Sequence, residues 1–188
     1  MPMFFKGAGR GTFWHLRDAR ADGFLPQSLM LDSTLDRMMQ HVARGSVHSP
    51  YVSLSRSFPV ARAYALAGKQ RPTAKTPAWV YEIELSEGMI LELLDPLVEI
   101  AKSLPSPWDR LSYQHDGPPE YLASVLSMKW NRRSLRAPIP QPPPGIGTPR
   151  PPNLSLQLET MARAMRDAEV LVFGSIPKEC VKARYAVY

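Results

Sequence analysis

Between Tyr51 and Ser55 the chain reads Y-V-S-L-S, with bulky and small side chains alternating at a period of two. That is the spacing of a strand with one face against a core. It turns Val52 and Leu54 inward and leaves Ser53 and Ser55 together on the opposite face. Ser57 then reads as a helix N-cap, with Pro59 in the first turn, where a missing N–H costs nothing. Val60, Ala61, Tyr64 and Ala65 give that helix its inner face. Alternation also runs from Thr12 to Arg17, predicting a strand with Trp14 and Leu16 on one face and His15 and Arg17 on the other. Residues 6–11, K-G-A-G-R-G, lack the strand before and helix after that dinucleotide-binding glycines need, so they read as a flexible leader.

Further along, Leu35, Met38, Met39 and Val42 fall at helical spacing and predict a helix to about Arg44, N-capped by Asp32 or Ser33. Residues 78–85, A-W-V-Y-E-I-E-L, form the clearest strand; Ser86-Glu87-Gly88 turns it, and residues 89–94 return as a short strand. Asp95-Pro96 opens a helix through about Ser103, and residues 108–117 are loop. Pro118-Pro119-Glu120 starts another helix, whose Lys129, Arg132, Arg133 and Arg136 gather near its C-terminal end, where the dipole favours cations. The Pro-rich run from Ala137 to Asn153 excludes helix and central strand and predicts an extended surface loop, inserted at 138–152 within one domain spanning 1–188. Leu154, Leu158, Met161 and Met165 predict a helix that ends at Arg166-Asp167-Ala168. An apolar strand headed by Glu169 follows, and Cys180 to Tyr188 alternates as the closing strand. Strands and helices in this mixture predict an α+β fold.

Composition narrows the class. The chain has 188 residues, 44% hydrophobic, enough for one domain with a real core. Cys180 stands alone, so no internal disulfide is expected. No apolar run approaches the ~20 residues that span a bilayer, and the N-terminal residues do not read as a signal peptide. The expectation is a soluble chain with no membrane partner, or one delivered to a target cell by a route independent of a signal peptide. A net charge of +6 suits an acidic partner, whether a dinucleotide or a nucleic acid. The cations are scattered, however, and no aromatic-basic nucleic-acid motif occurs. Four histidines and one cysteine show no ligand spacing, so no metal is expected.

Three places carry candidate chemistry. Ser53 and Ser55 are either the polar face of an edge strand or two hydroxyls that hold a ligand or a catalytic side chain. His15 and Arg17 are either a solvated face or a pair suited to a pyrophosphate, which an arginine fork grips well. Glu169, heading an apolar strand, is costly to bury without a partner or a task; otherwise it sits at an exposed strand start. Glu82 and Glu84 share a face by alternation alone and are assigned no chemistry.

Strand, Ser-x-Ser and short helix with Tyr64, then V-Y-E-I, then D-A-E-V-L-V-F-G-S-I-P-K-E, occur here in that order. Together they resemble the mono-ADP-ribosyltransferase toxins of the pertussis and cholera type and their pierisin-like relatives. The likeness covers residues 12–85 and 154–188. Leu54 replaces the usual middle Thr of Ser-Thr-Ser. A first-strand motif, Arg or His followed by an Asp-x-Arg-like turn and Gly-Phe, matches Arg17 or His15, Asp18-Ala19-Arg20 and Gly23-Phe24, one residue off the usual spacing.

The resemblance implies an ADP-ribosyltransferase-like split β-sandwich with flanking helices, and NAD as co-substrate without a metal. Glu169 would hold the ribose hydroxyl and stabilise the cation formed as nicotinamide leaves. Ser53 would orient Glu169, with Ser55 in support, Arg17 or His15 on phosphate or adenosine ribose, and Tyr64 on nicotinamide. Asp167 stands two residues before Glu169, where the family's choice of acid or amide goes with the acceptor. Its carboxylate favours an arginine side chain on a protein, with nucleic acid as a second acceptor class. Such a chain is expected to be a bacterial toxin or effector, with an immunity partner or a partner for the Pro-rich loop. The alternatives are an NAD glycohydrolase and a non-catalytic interaction module on the same fold.

Overall fold

The computed structural model describes residues 3–45, 48–85, 91–104 and 153–188. The turn expected at 86–88, the loop at 108–117, the helix after Pro118 with its basic cluster and the Pro-rich insertion fall outside the described residues.

The chain folds as α+β, helices packed on a six-stranded, wholly antiparallel sheet. Its strands are β1 (Met3–Ala8), β2 (Tyr51–Ser55), β3 (Ala78–Glu84), β4 (Glu92–Leu94), β5 (Glu169–Phe173) and β6 (Val181–Val187). They lie in the order β4-β5-β2-β1-β3-β6. The helices are α1 (Ala19–Asp22), α2 (Leu35–Arg44), α3 (Phe58–Leu66), α4 (Pro96–Ser103) and α5 (Leu154–Asp167).

One continuous hydrogen-bonded order stands where two separate sheets were expected, but its centre is thin. β1 pairs with β3 from Met3↔Glu84 to Ala8↔Trp79, whereas β1 and β2 share the single register pair Phe5↔Ser55. Two three-stranded halves therefore meet at a narrow seam.

The first strand corrects the sequence reading. Residues 6–8, the first half of the segment that reads as a flexible leader, belong to β1, which begins at Met3. The predicted strand from Thr12 to Arg17 is instead a run of turns, in which the Thr12 amide and hydroxyl both donate to the Gly9 carbonyl, at 3.0 and 2.6 Å. The Thr12 carbonyl then accepts from the His15 and Leu16 amides, closing a turn that a strand cannot continue. Trp14 is buried edge-on to Phe24 while Leu16 is left 76% exposed, so the alternation there is coincidental.

The glycines of β1 have a packing role. A Cβ on Gly7 would lie 2.1 Å from the Ala61 carbonyl oxygen and 2.8 Å from the Ala65 nitrogen. Helix α3 thus rests directly on the β1 backbone. Gly9 and Gly68 make a similar backbone-to-backbone approach just beyond the strand.

Elsewhere the predicted elements fall near their places. Helix α2 is capped by Thr34, whose hydroxyl accepts from the Arg37 amide at 3.3 Å, rather than by Asp32 or Ser33. Ser33 is engaged instead with the Tyr51 hydroxyl at 3.0 Å. Asp95 caps α4 through the Leu97 amide, as its place before Pro96 suggests. Glu82 accepts from the Tyr185 hydroxyl and Glu84 pairs with Lys182 across β3 and β6, which accounts for both acids structurally.

Three apolar clusters cover the sheet. On one face Val52, Leu54, Val170 and Val172 join Phe4, Phe24, Tyr81 and Ile83. On the other, α2, α4 and α5 cover Tyr51 and Leu171, while α3 covers Ala78, Val80 and Val187 on the opposite half. Between these two helical covers lies the strip of β2 and β5 that carries Ser53, Ser55 and Glu169. Among the described residues no helix is long and apolar enough to cross a membrane.

Candidate active site

Strands β2 and β5 pair so that Ser55 lies opposite Glu169 and Ser53 opposite Leu171. Alternation puts Ser53, Ser55 and Glu169 on one face, and the Ser53 hydroxyl reaches diagonally to donate to Glu169 Oε1 at 2.5 Å. The two residues are 116 apart in sequence. A single residue, Ala168, separates α5 from β5. It takes the left-handed conformation, φ 45° and ψ 43°, and its amide caps the helix on the Ala164 and Met165 carbonyls. This sharp reversal aims both Asp167 and Glu169 at the same opening.

That opening is a cleft of about 1130 Å³ at the seam between β1 and β2, large enough for a dinucleotide. Ser53, Ser55, Asp167 and Glu169 form its polar floor, and Trp14, Phe5, Phe58 and Tyr64 supply aromatic walls. Lys6 enters from the far side of the seam. Its Nζ donates to the Ser53 carbonyl at 2.7 Å and lies 4.9 Å from the centre of the Trp14 ring. Where the ladder offers one register pair, the lysine satisfies a β2 carbonyl that a longer strand pairing would otherwise bond.

Burial shifts both Glu169 and Lys6. Glu169 is 7% exposed, and desolvation, aided by Asp167, raises its pKa to about 7 against the opposing pull of the Ser53 hydroxyl, Lys6 and Arg166. Desolvation lowers the Lys6 pKa to about 8, with Glu169 opposing. The Tyr64 hydroxyl, desolvated and bonded to Asp167, is held well above its ordinary range. Burial thus pushes the acid and the base at the cleft floor each toward its neutral form, and each opposes that shift in the other.

Asp167 is fully engaged. Arg166 grips it as a fork, Nε to Oδ1 at 2.6 Å and Nη2 to Oδ2 at 2.5 Å, and the Tyr64 hydroxyl donates to Oδ2 at 2.5 Å. Ser55 is likewise committed, donating to the Asp167 carbonyl at 2.6 Å and accepting from the Ser57 amide at 3.0 Å. It therefore fixes the C-terminal end of α5, which presents Asp167, and its one proton is already given.

Of the residues singled out in the sequence, Ser53, Ser55, Tyr64, Asp167 and Glu169 converge on the cleft. Tyr64 is not on the inner face of α3 as expected. Val60, Ala61 and Ala65 are buried there, whereas Tyr64 is 40% exposed and turned to Asp167. His15 and Arg17 do not line the cleft. His15 Nε2 donates to the Pro77 carbonyl at 3.0 Å, and the Arg17 guanidinium lies over the Phe13 ring at 4.4 Å. Both were placed on a strand that does not exist. Two cations line the cleft among the described residues, Arg62 of α3 and Lys6; the only sequence signal of Lys6 is a charge at an inward position of the F-F-K-G-A alternation. Among the described residues, no three His, Cys, Asp or Glu side chains come together as a metal site.

No protein-family model and no curated protein matches the chain.

Proposed function

We propose that the chain is an NAD-dependent mono-ADP-ribosyltransferase. The observation that carries this reading is the hydrogen bond from Ser53 to a buried Glu169 at the floor of a dinucleotide-sized cleft, set where two antiparallel half-sheets meet. The resemblance noted in the sequence implies a split β-sandwich with NAD in that cleft, and the thin β1–β2 seam supports it.

In this reading the bond between nicotinamide and ribose C1′ breaks and its electron pair leaves with nicotinamide. The positive charge left on the ribose is stabilised by the Glu169 carboxylate, as in glycoside chemistry. Ser53 keeps one carboxylate oxygen oriented. Lys6 replaces Arg17 and His15 as the cation for the pyrophosphate. Tyr64 offers a ring for nicotinamide, anchored through its hydroxyl on Asp167. The acceptor nucleophile adds to C1′ and gives up its proton.

Asp167 bears on the acceptor. Two readings follow from its position and its partners: an arginine acceptor, for which a carboxylate at this place is suited, and water, which makes the chain an NAD glycohydrolase. The second gains from the geometry, since Arg166 and Tyr64 already occupy both Asp167 oxygens. Incubation with labelled NAD separates them, because only transfer leaves label on a macromolecule.

The test of the whole reading is nicotinamide release from NAD by the purified chain. Glu169→Gln keeps an acceptor for the Ser53 hydroxyl but removes the charge. It should lower the rate by at least about 10²-fold. An unchanged rate in that variant excludes Glu169 as the stabilising acid.

A further inference from the structure

A second, smaller cavity of about 170 Å³ opens beside α2. Arg37, Gln40, His41 and Arg44 line it at the i, i+3, i+4, i+7 spacing of one helix face, and His48 and Ser49 form the facing wall. Among the described residues that line it, none is a carboxylate. His41 and Gly45 line this cavity and the main cleft alike, so the two meet there.

Its guanidinium groups are weakly neutralised. Arg37 Nη1 donates to the Asp32 carbonyl at 2.9 Å and approaches the Asp32 carboxylate only at 3.9 Å, and that side chain is 96% exposed. Such a contact is worth little in water. No carboxylate pairs with Arg44 among the described residues. The helix dipole accounts for His41 and Arg44 in the last turn of α2, but it opposes a cation at Arg37 in the first turn. His41 is held in place by Ser49, at 2.6 Å from its Nδ1. His48 adopts φ 55°, a left-handed conformation that non-glycine residues avoid, and it does so on the cavity wall.

We propose that this cavity is a phosphate-monoester subsite, in which Arg37 and Arg44 grip the oxyanion with forked donors and His48 adds a third. The phosphate is either carried on the dinucleotide in the adjoining cleft or arrives by itself; the first source rests on the NAD reading above, the second does not.

Calorimetric titration of the full chain with inorganic phosphate, NAD and its 2′-phosphorylated form NADP tests this. Wild type should bind NADP at least about tenfold more tightly than NAD. Arg44→Ala and Arg37→Ala should bring NADP down to the level of NAD and abolish phosphate binding, with thermal melts unchanged. Arg44→Lys should keep part of the preference. Phosphate binding that depends on Arg44, without any advantage of NADP over NAD, supports the subsite and assigns it a free source. The same phosphate result with no dinucleotide binding at all sinks the cleft reading and leaves the subsite standing. Phosphate binding that is absent, or equal in wild type and Arg44→Ala, together with equal NAD and NADP affinity, overturns the subsite, while NAD binding still reports on the cleft.

Discussion

Lys6 and Glu169 stand on either side of the seam, each shifted toward its neutral form, yet the proposed chemistry needs both charged. Nicotinamide release should rise as Glu169 ionises through about pH 7 and fall as Lys6 loses its proton through about pH 8. The expected profile is a narrow bell. Lys6→Arg should remove the alkaline limb and keep the acid one; an alkaline limb that survives this change shows that another group titrates there. Stability has its own sign. The folded pKa of Glu169 is raised above its ordinary value of 4.5, so the folded state holds the proton more tightly than the unfolded chain. The stabilisation from that proton is complete below 4.5 and is lost as pH rises through about 7. Glu169→Gln should therefore melt higher than wild type at pH 8, with the difference shrinking toward pH 4. Ser53 and Glu169 were legible in the sequence because polar groups stand out at a strand's exposed face or its head. Lys6 was not, because the glycines around it suggested a leader rather than a strand.

At the scale of elements, β1 and α3 depend on each other through Gly7. A methyl group at that position collides with the backbone of α3, which has no side-chain freedom to yield. Gly7→Ala should destabilise the fold by about 2–3 kcal/mol, measured by denaturant titration. A loss under about 0.5 kcal/mol, the range of ordinary surface substitutions, would show that α3 moves away at little cost. The elements most legible in the sequence were those with strong periodicity and clean ends: β2, β3, α4, α5 and β5. The failure at residues 12–17 has a physical cause. Period-two alternation over six residues is matched by chance in a turn, and here Thr12 closes that turn on the Gly9 carbonyl. Tyr64 was misread for a related reason. Helical spacing gave its face but not the carboxylate at the end of α5, which belongs to a distant stretch of chain.

The whole molecule divides along the β1–β2 seam. Six register pairs tie β1 to β3, from Met3↔Glu84 to Ala8↔Trp79, against the single pair Phe5↔Ser55 on the other side. Hydrogen exchange should be faster for the Ser53 amide, which faces the seam, than for those of 79–83 if the seam opens locally, and NAD bound in the cleft should slow the former selectively. Equal protection in both strands would show that the halves open only together. No local pattern announces such a seam, since it arises from how two distant strand groups meet. The reversal at Ala168 has a mechanical consequence as well. With one residue between the last turn of α5 and Glu169, helix and acid form a lever with almost no slack. A partner that pushes on α5 would move the carboxylate against Ser53, giving the remote end of that helix a handle on the chemistry.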